Sequence, residues 1–122
     1  MIKRIVVAGS RKYNNYEEAK SYIDFCIEKI KDKYTLVFIT GCCYGADYLG
    51  ERYAFENGFE LEQYPAQWKK YGKKAGPIRN AEMANRSDYI ICFWDGKSKG
   101  TKTLINYAKK FQKEIRIKYI TI

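Results

Sequence analysis

Apolar positions recur along the chain with two different periods. Lys3–Ala8 carries Ile5, Val6 and Val7 in succession, the pattern of a strand buried on both faces, as in a parallel sheet covered by helices. Asn15 stands where a helix N-cap is expected, with Glu18 three residues on, a variant of the capping box. Ala19, Tyr22, Ile23, Cys26, Ile27 and Ile30 then step by three and four, which predicts a helix to about Lys31. Thr35–Thr40 reads as the second strand. It runs into Gly41-Cys42-Cys43-Tyr44-Gly45, after which Ala46, Leu49, Gly50, Tyr53 and Ala54 take helical spacing up to a stop at Asn57-Gly58. Phe59–Tyr64 alternates with polar residues and reads as a third strand near a sheet edge.

From Pro65 to Pro77 no periodicity survives. This stretch holds Trp68, Lys69, Lys70, Tyr71, Lys73 and Lys74 and no acid, and it reads as a long irregular loop, a kind that is usually functional or mobile. Ile78–Arg86 predicts a short helix and Asp88–Trp94 a fourth strand. Asp95–Thr101 is a second glycine loop, opening a helix with Leu104, Ile105, Ala108 and Phe111 on one face. Ile115–Ile120 is the last strand. Strands and helices in this order predict one α/β domain over residues 1–122, with about five parallel strands and helices on both faces. Ligands of such sheets sit outside the carboxyl ends of the strands, where the strand order reverses. The loops after strands one, two and four lie on that edge.

Composition agrees with a globular protein: 46% of the 122 residues are hydrophobic and 30% charged. No apolar run approaches the roughly 18 residues of a membrane span. The apolar part of residues 1–9 is too short for a signal peptide and reads better as a strand, so no membrane association and a cytoplasmic location are expected. The four cysteines form no C-x-x-C pair and there is no histidine, which argues against zinc. All four read as small buried hydrophobes. The net charge is +9, with nine basic and ten acidic side chains in residues 1–62 against fourteen and four in residues 63–122. Most of these lysines read as solvent-facing helix surface, yet the cationic half favours an anionic partner.

Gly96-Lys97-Ser98 resembles the end of a P-loop, but the position of its first glycine is Ile91, so an ATPase is not indicated. No Gly-x-Gly-x-x-Gly is present either. Instead Gly96 and Gly100 allow close backbone approach, Ser98 and Thr101 offer hydroxyls, and a helix N-terminus follows, a combination suited to phosphate. In Ala75–Met83, Gly76-Pro77 fixes a turn and places Arg79 and Asn80 early in a helix, next to Glu82. Arginine is the side chain suited to bidentate contact with phosphate. Glu82, Asp47 and Asp95 are the acids near the expected site and the candidates for any acid–base role. Without histidine, a His-based relay is excluded.

Several stretches resemble one family. Gly41-x-x-x-Gly45-Ala46-Asp47, Tyr64-Pro65-Ala66-x-Trp68, Gly72-Lys73-x-Ala75-Gly76-Pro77-Ile78-Arg79-Asn80-x-Glu82-Met83 and Gly100-Thr101 look like the YspA-like branch of the SLOG superfamily, which also includes DprA and the LOG phosphoribohydrolases. The resemblance implies a Rossmann-like three-layer fold and a pocket for a nucleotide or nucleotide-derived ligand. By position, that pocket would involve Gly9, Ser10, Arg11, Gly41, Gly45, Asp47, Arg79, Asn80, Gly96, Ser98, Gly100 and Thr101. Two departures stand out. The LOG catalytic glutamate falls at Leu104, so its acid does not carry over. YspA-like loops usually read Gly-Gly-Ala-Arg-Gly-Ala-Asp, where this chain has Cys42, Cys43 and Tyr44.

The expected function is binding of a nucleotide or nucleotide-derived small molecule, with no cofactor or metal. The alternatives are hydrolysis of a nucleotide N-glycosidic bond, which needs a carboxylate near an oxocarbenium-like centre, and DprA-like binding of single-stranded nucleic acid by the basic half with Trp68, Tyr71 and Trp94. Self-association is left open.

Overall fold

The computed structural model describes residues 1–122. The strands are β1 (Ile2–Gly9), β2 (Thr35–Thr40), β3 (Glu60–Gln63), β4 (Tyr89–Trp94) and β5 (Glu114–Tyr119). The helices are α1 (Tyr16–Ile27), α2 (Ala46–Glu56), α3 (Trp68–Tyr71), α4 (Ala75–Arg86) and α5 (Lys99–Lys110). All strand pairs are parallel, and the five strands lie in the order β3-β2-β1-β4-β5. The chain builds outward from β1 to β3, then crosses to β4 on the other side of β1. The strand order therefore reverses between β1 and β4, and the crevice at their carboxyl ends is the expected ligand position.

Alternation along each strand divides the core into two layers. Ile5 and Val7 of β1, Phe38 of β2 and Ile91 and Phe93 of β4 face α1 and α2. Val6 and Ala8, Ile39, Ile90 and Cys92 face α4 and α5, meeting Met83, Ala84, Leu104, Ile105 and Ala108. Both faces are covered, which is why the central strands are apolar at consecutive positions. Each large apolar side chain fully buried here contributes about 1.5–3 kcal/mol. The edge position of β3 matches its polar alternation.

The helix ends follow local chemistry. The Asn15 side chain accepts a hydrogen bond from the Glu18 backbone N–H at 3.1 Å, as the capping pattern predicts. Helix α1 stops at Ile27 rather than near Lys31. Tight turns take over, with Ile30 N–H donating to Ile27 O and Lys33 N–H to Ile30 O. Ile30 still packs against the core, so the apolar spacing outlasts the helix.

The largest correction concerns residues 65–77. In place of a long irregular loop stand the short helix α3, a 3₁₀ turn over Gly72–Lys74, and the start of α4 at Ala75. Pro77 lies in the first turn of α4, where its missing N–H would have had no intrahelical acceptor.

The cysteines are a second correction. All four are free thiols, but only Cys92 is buried; Cys26 and Cys43 are half-buried and Cys42 is exposed. No group of three or more His, Cys, Asp or Glu side chains is placed to hold a metal ion. No helix is long and apolar enough to cross a membrane.

Candidate functional site

The loops after β1, β2 and β4 surround a cavity of about 370 Å³ at the carboxyl edge of the sheet. It brings together Gly9, Ser10, Arg11, Asp47, Arg79, Asn80, Asp95, Ser98, Gly100 and Thr101. Four residues singled out in the sequence stand apart from it. Gly41 lines a neighbouring hollow, and Gly45 and Gly96 line neither. Glu82 is exposed and faces a third hollow beside Tyr64 and Tyr71. Lys12, Cys43, Met83 and Leu104 line the cavity without having been singled out for it. Lys12 had a signal in its charge beside Arg11, and Met83 closed the Ala75–Met83 block. Leu104 read as helix core and as the position of the LOG catalytic glutamate.

Backbone bonds fix the loops to one another. Ser10 N–H donates to Phe93 O at 3.0 Å, joining the ends of β1 and β4, and Ala46 N–H donates to Ser10 O at 3.1 Å, joining the β1 loop to α2. Gly45 makes that junction feasible. Its φ is +78°, and a Cβ there would stand 2.3 Å from Ser10 O and 2.5 Å from Arg11 O. Only glycine fits so close to two carbonyls in a left-handed conformation.

Arg79 and Asn80 tie the other wall. The Arg79 guanidinium donates through Nη1 to Gly41 O at 2.6 Å and through Nε to Asn80 Oδ1 at 2.8 Å. Asn80 Nδ2 in turn donates to Gly100 O at 3.2 Å. One chain of bonds therefore runs from the end of β2 through α4 to the first turn of α5. Nε and Nη1 are engaged, Nη1 also by Cys43 Sγ at 3.7 Å, and Nη2 takes no protein acceptor, so a hydrogen-bonding edge remains for a ligand.

The N-terminus of α5 opens onto the cavity through Ser98, Gly100 and Thr101. Ser98 is the N-cap residue, but no side chain caps the helix. Its first N–H groups and the positive end of its dipole suit an anion. The preceding turn is held by Asp95, whose Oδ1 accepts from Ser98 N–H at 2.8 Å and from Lys97 N–H at 2.9 Å. Those two bonds, Ser98 first, hold the Asp95 carboxyl below its ordinary range.

Asp47 is the opposite case. It is buried in the first turn of α2, and its nearest backbone bond, from Cys43 N–H to Oδ2, is long at 3.4 Å. Burial pushes its carboxyl up from 3.8 to about 6, against the downward pull of Arg79 and of the Cys43 and Gly41 backbone. Of the three candidate acids, Asp47 is the one both inside the cavity and poised near neutrality.

The charge around the cavity is unbalanced. The four ion pairs of the structure are Lys3–Glu114, Arg4–Glu62, Lys20–Asp24 and Arg52–Glu56. Arg11, Lys12 and Arg79 take part in none, and neither do Lys69, Lys70, Lys73 and Lys74 near the α4 start. The cavity thus offers a cationic rim, one free arginine edge and an uncapped helix end.

Comparison with known proteins follows the fold. The sequence profile of the YspA, cpYpsA-related SLOG family matches residues 3–71. The Gene 61 protein of Mycobacterium phage D29 is 31% identical over 115 residues, covering 89% of this chain and 90% of that protein. Among solved structures, DNA processing protein A (DprA) from Streptococcus pneumoniae superposes with a TM-score of 0.71 at 18% identity, over 100% of this chain and 52% of that one. DprA from Helicobacter pylori, described for its single-stranded DNA binding mode, superposes with a TM-score of 0.67 at 19% identity, over 94% of this chain and 64% of its own. The chain spans about half to two thirds of those two proteins, and at that identity the likeness is one of fold. With the profile match over more than half its length and a phage relative aligned nearly end to end, the chain belongs to the YspA, cpYpsA-related SLOG family.

Proposed function

We infer that the protein binds a nucleotide or nucleotide-derived small molecule in the cavity at the carboxyl edge of the sheet. The observation that carries this reading is the junction of Arg79, held by Gly41 and Asn80, with the uncapped N-terminus of α5 across one cavity. Phosphate belongs at Ser98–Thr101, reached by the free edge of Arg79. Asp47 belongs beside the sugar, where a ligand hydroxyl can donate to its carboxylate. Burial of this carboxylate outweighs the pull of Arg79 and of the Cys43 and Gly41 backbone, a cost to the empty fold that such a hydroxyl offsets.

A thermal-shift screen of mono-, di- and cyclic nucleotides, nucleotide sugars and ADP-ribose tests this reading. A ligand at 100 times its Kd stabilises the fold by about 2.7 kcal/mol, a shift of several degrees. No shift from any of them at millimolar concentration contradicts it.

Two further readings have an observation each. Asp47, raised to about 6 inside the cavity, is a fitting acid for cleaving a nucleotide N-glycosidic bond. Release of free base from nucleoside monophosphates, followed by chromatography and lost in Asp47→Asn, would establish it. The acid-free run Trp68–Lys74 beside the site, with the single-stranded DNA binding described for the Helicobacter pylori protein, favours a nucleic-acid role. Binding to single-stranded DNA that falls steeply with salt would establish that one.

A further inference from the structure

We propose that the hollow beside the cavity is the base-binding half of the site, in which Tyr44 and Trp68 stack on the nucleobase of the bound nucleotide. This rests on reading the cavity as a nucleotide site. The hollow has a volume of about 250 Å³, and Arg11, Cys43 and Arg79 line it and the cavity alike. The two spaces therefore meet at a pair of arginines. A base whose phosphate and sugar occupy the cavity can continue past these arginines into the hollow.

The walls of the hollow are suited to a flat apolar ring. Tyr44 and Trp68 stand in it with Pro65, and they are 84% and 54% exposed. Neither ring takes part in any of the aromatic pairs or cation–π contacts of the structure, whereas Tyr13, Tyr22, Phe38, Tyr53, Phe59, Phe93 and Trp94 all do. Their hydroxyl and indole N–H likewise make no hydrogen bond within the protein. Two large aromatic faces are thus left open on opposite segments, the loop after β2 and helix α3, at the mouth of a cationic cavity. Aromatic side chains in that setting bind any base through its π-face. A free nucleotide, rather than a strand, is the occupant, because the hollow of about 250 Å³ adjoins one cavity of about 370 Å³ with one helix N-terminus.

The test uses isothermal titration with AMP, GMP, CMP and UMP against ribose 5-phosphate, which keeps the sugar and phosphate and lacks the base. The tightest of the four nucleotides is expected to bind about tenfold or more better than ribose 5-phosphate. Tyr44→Ala and Trp68→Ala, both at exposed positions, are expected to erase that margin and leave ribose 5-phosphate binding unchanged. Saturating nucleotide should quench tryptophan emission more than saturating ribose 5-phosphate does, and that difference should be lost in Trp68→Ala. If ribose 5-phosphate binds and no base improves on it, or the margin survives both variants, the base subsite is overturned while the phosphate site stands. If neither sugar phosphate nor nucleotide binds, both readings fall. If an oligo-dT displaces the nucleotide and binds more tightly than any of the four, the occupant is a strand and the proposal is overturned in that respect.

Discussion

Arg79 donates to the carbonyl of Gly41 at 2.6 Å, a bond that joins a helix to the central sheet. Gly41 directly follows β2, and Arg79 lies on α4, which packs on one face of the sheet. A Cβ on Gly41 would stand 2.7 Å from the same Nη1 and 2.8 Å from Asp47 Oδ2. The loop after β2 is thus kept bare so that a guanidinium and a carboxylate can sit against its backbone. Arginine is buried there, 8% exposed, and lines the cavity.

The first expected outcome concerns that arginine. Arg79→Lys keeps the charge and loses the fork, so the bond to Asn80 and the free edge cannot both be reproduced. Nucleotide affinity should fall about tenfold or more, the worth of a hydrogen bond to a charged group. Urea unfolding should register a loss of about 1 kcal/mol from the contact to Gly41. Unchanged affinity, measured by titration calorimetry, would remove Arg79 from the site.

Asp47 gives a dependence on pH. Its folded pKa of about 6 lies above its ordinary 3.8, so the folded state favours the protonated form. The sign follows: the carboxyl costs nothing below about pH 4, and stability is lost as pH rises through the window from 4 to 6, by about 3 kcal/mol in all. Asp47→Asn should match the parent protein near pH 4 and exceed it in stability at pH 7. Denaturant melts at the two pH values check this; equal differences at both would show that Asp47 does not titrate in that window.

Cys42 sits in the left-handed region at φ +64°, anchored by its N–H to Thr40 Oγ1 at 3.1 Å. A β-carbon in that conformation costs about 1 kcal/mol. Loops resembling this one carry glycine at the position. Cys42→Gly should therefore raise the Tm by about 4 °C. A lower Tm would mean that the thiol contributes contacts the exposed position does not suggest.

The fold was readable because both faces of the central strands are covered. Ile5, Val6 and Val7 needed no alternation, as expected of a strand in a parallel sheet covered on both faces. The block around Arg79 was readable as a site because a helix start carrying Gly-Pro and then Arg-Asn has chemistry to offer whatever surrounds it. Residues 65–77 were not readable. Helix α3 is a single turn, Trp68-Lys-Lys-Tyr71, too short to display a period and without one buried residue. Direction was equally hidden. Glu82 lies on the same helix as Arg79 and three positions on, yet it is exposed and stays outside the cavity that Arg79 lines. Cys42 and Cys43 are adjacent, but a turn exposes the first and places the second at the cavity, 3.7 Å from Arg79 Nη1. Spacing along a sequence does not encode which side of a turn a side chain takes.

The most direct test is to map where a nucleotide sits, by following backbone amide resonances in a nitrogen–proton correlation spectrum while AMP or ADP is added. The expected perturbations fall on Gly9–Lys12, Cys43–Asp47 and Ser98–Thr101, together with the Arg79 Nε–H, and leave the amino ends of the strands unmoved. Saturating nucleotide that shifts none of these groups, or shifts only residues away from the carboxyl edge of the sheet, would contradict the assignment of the site.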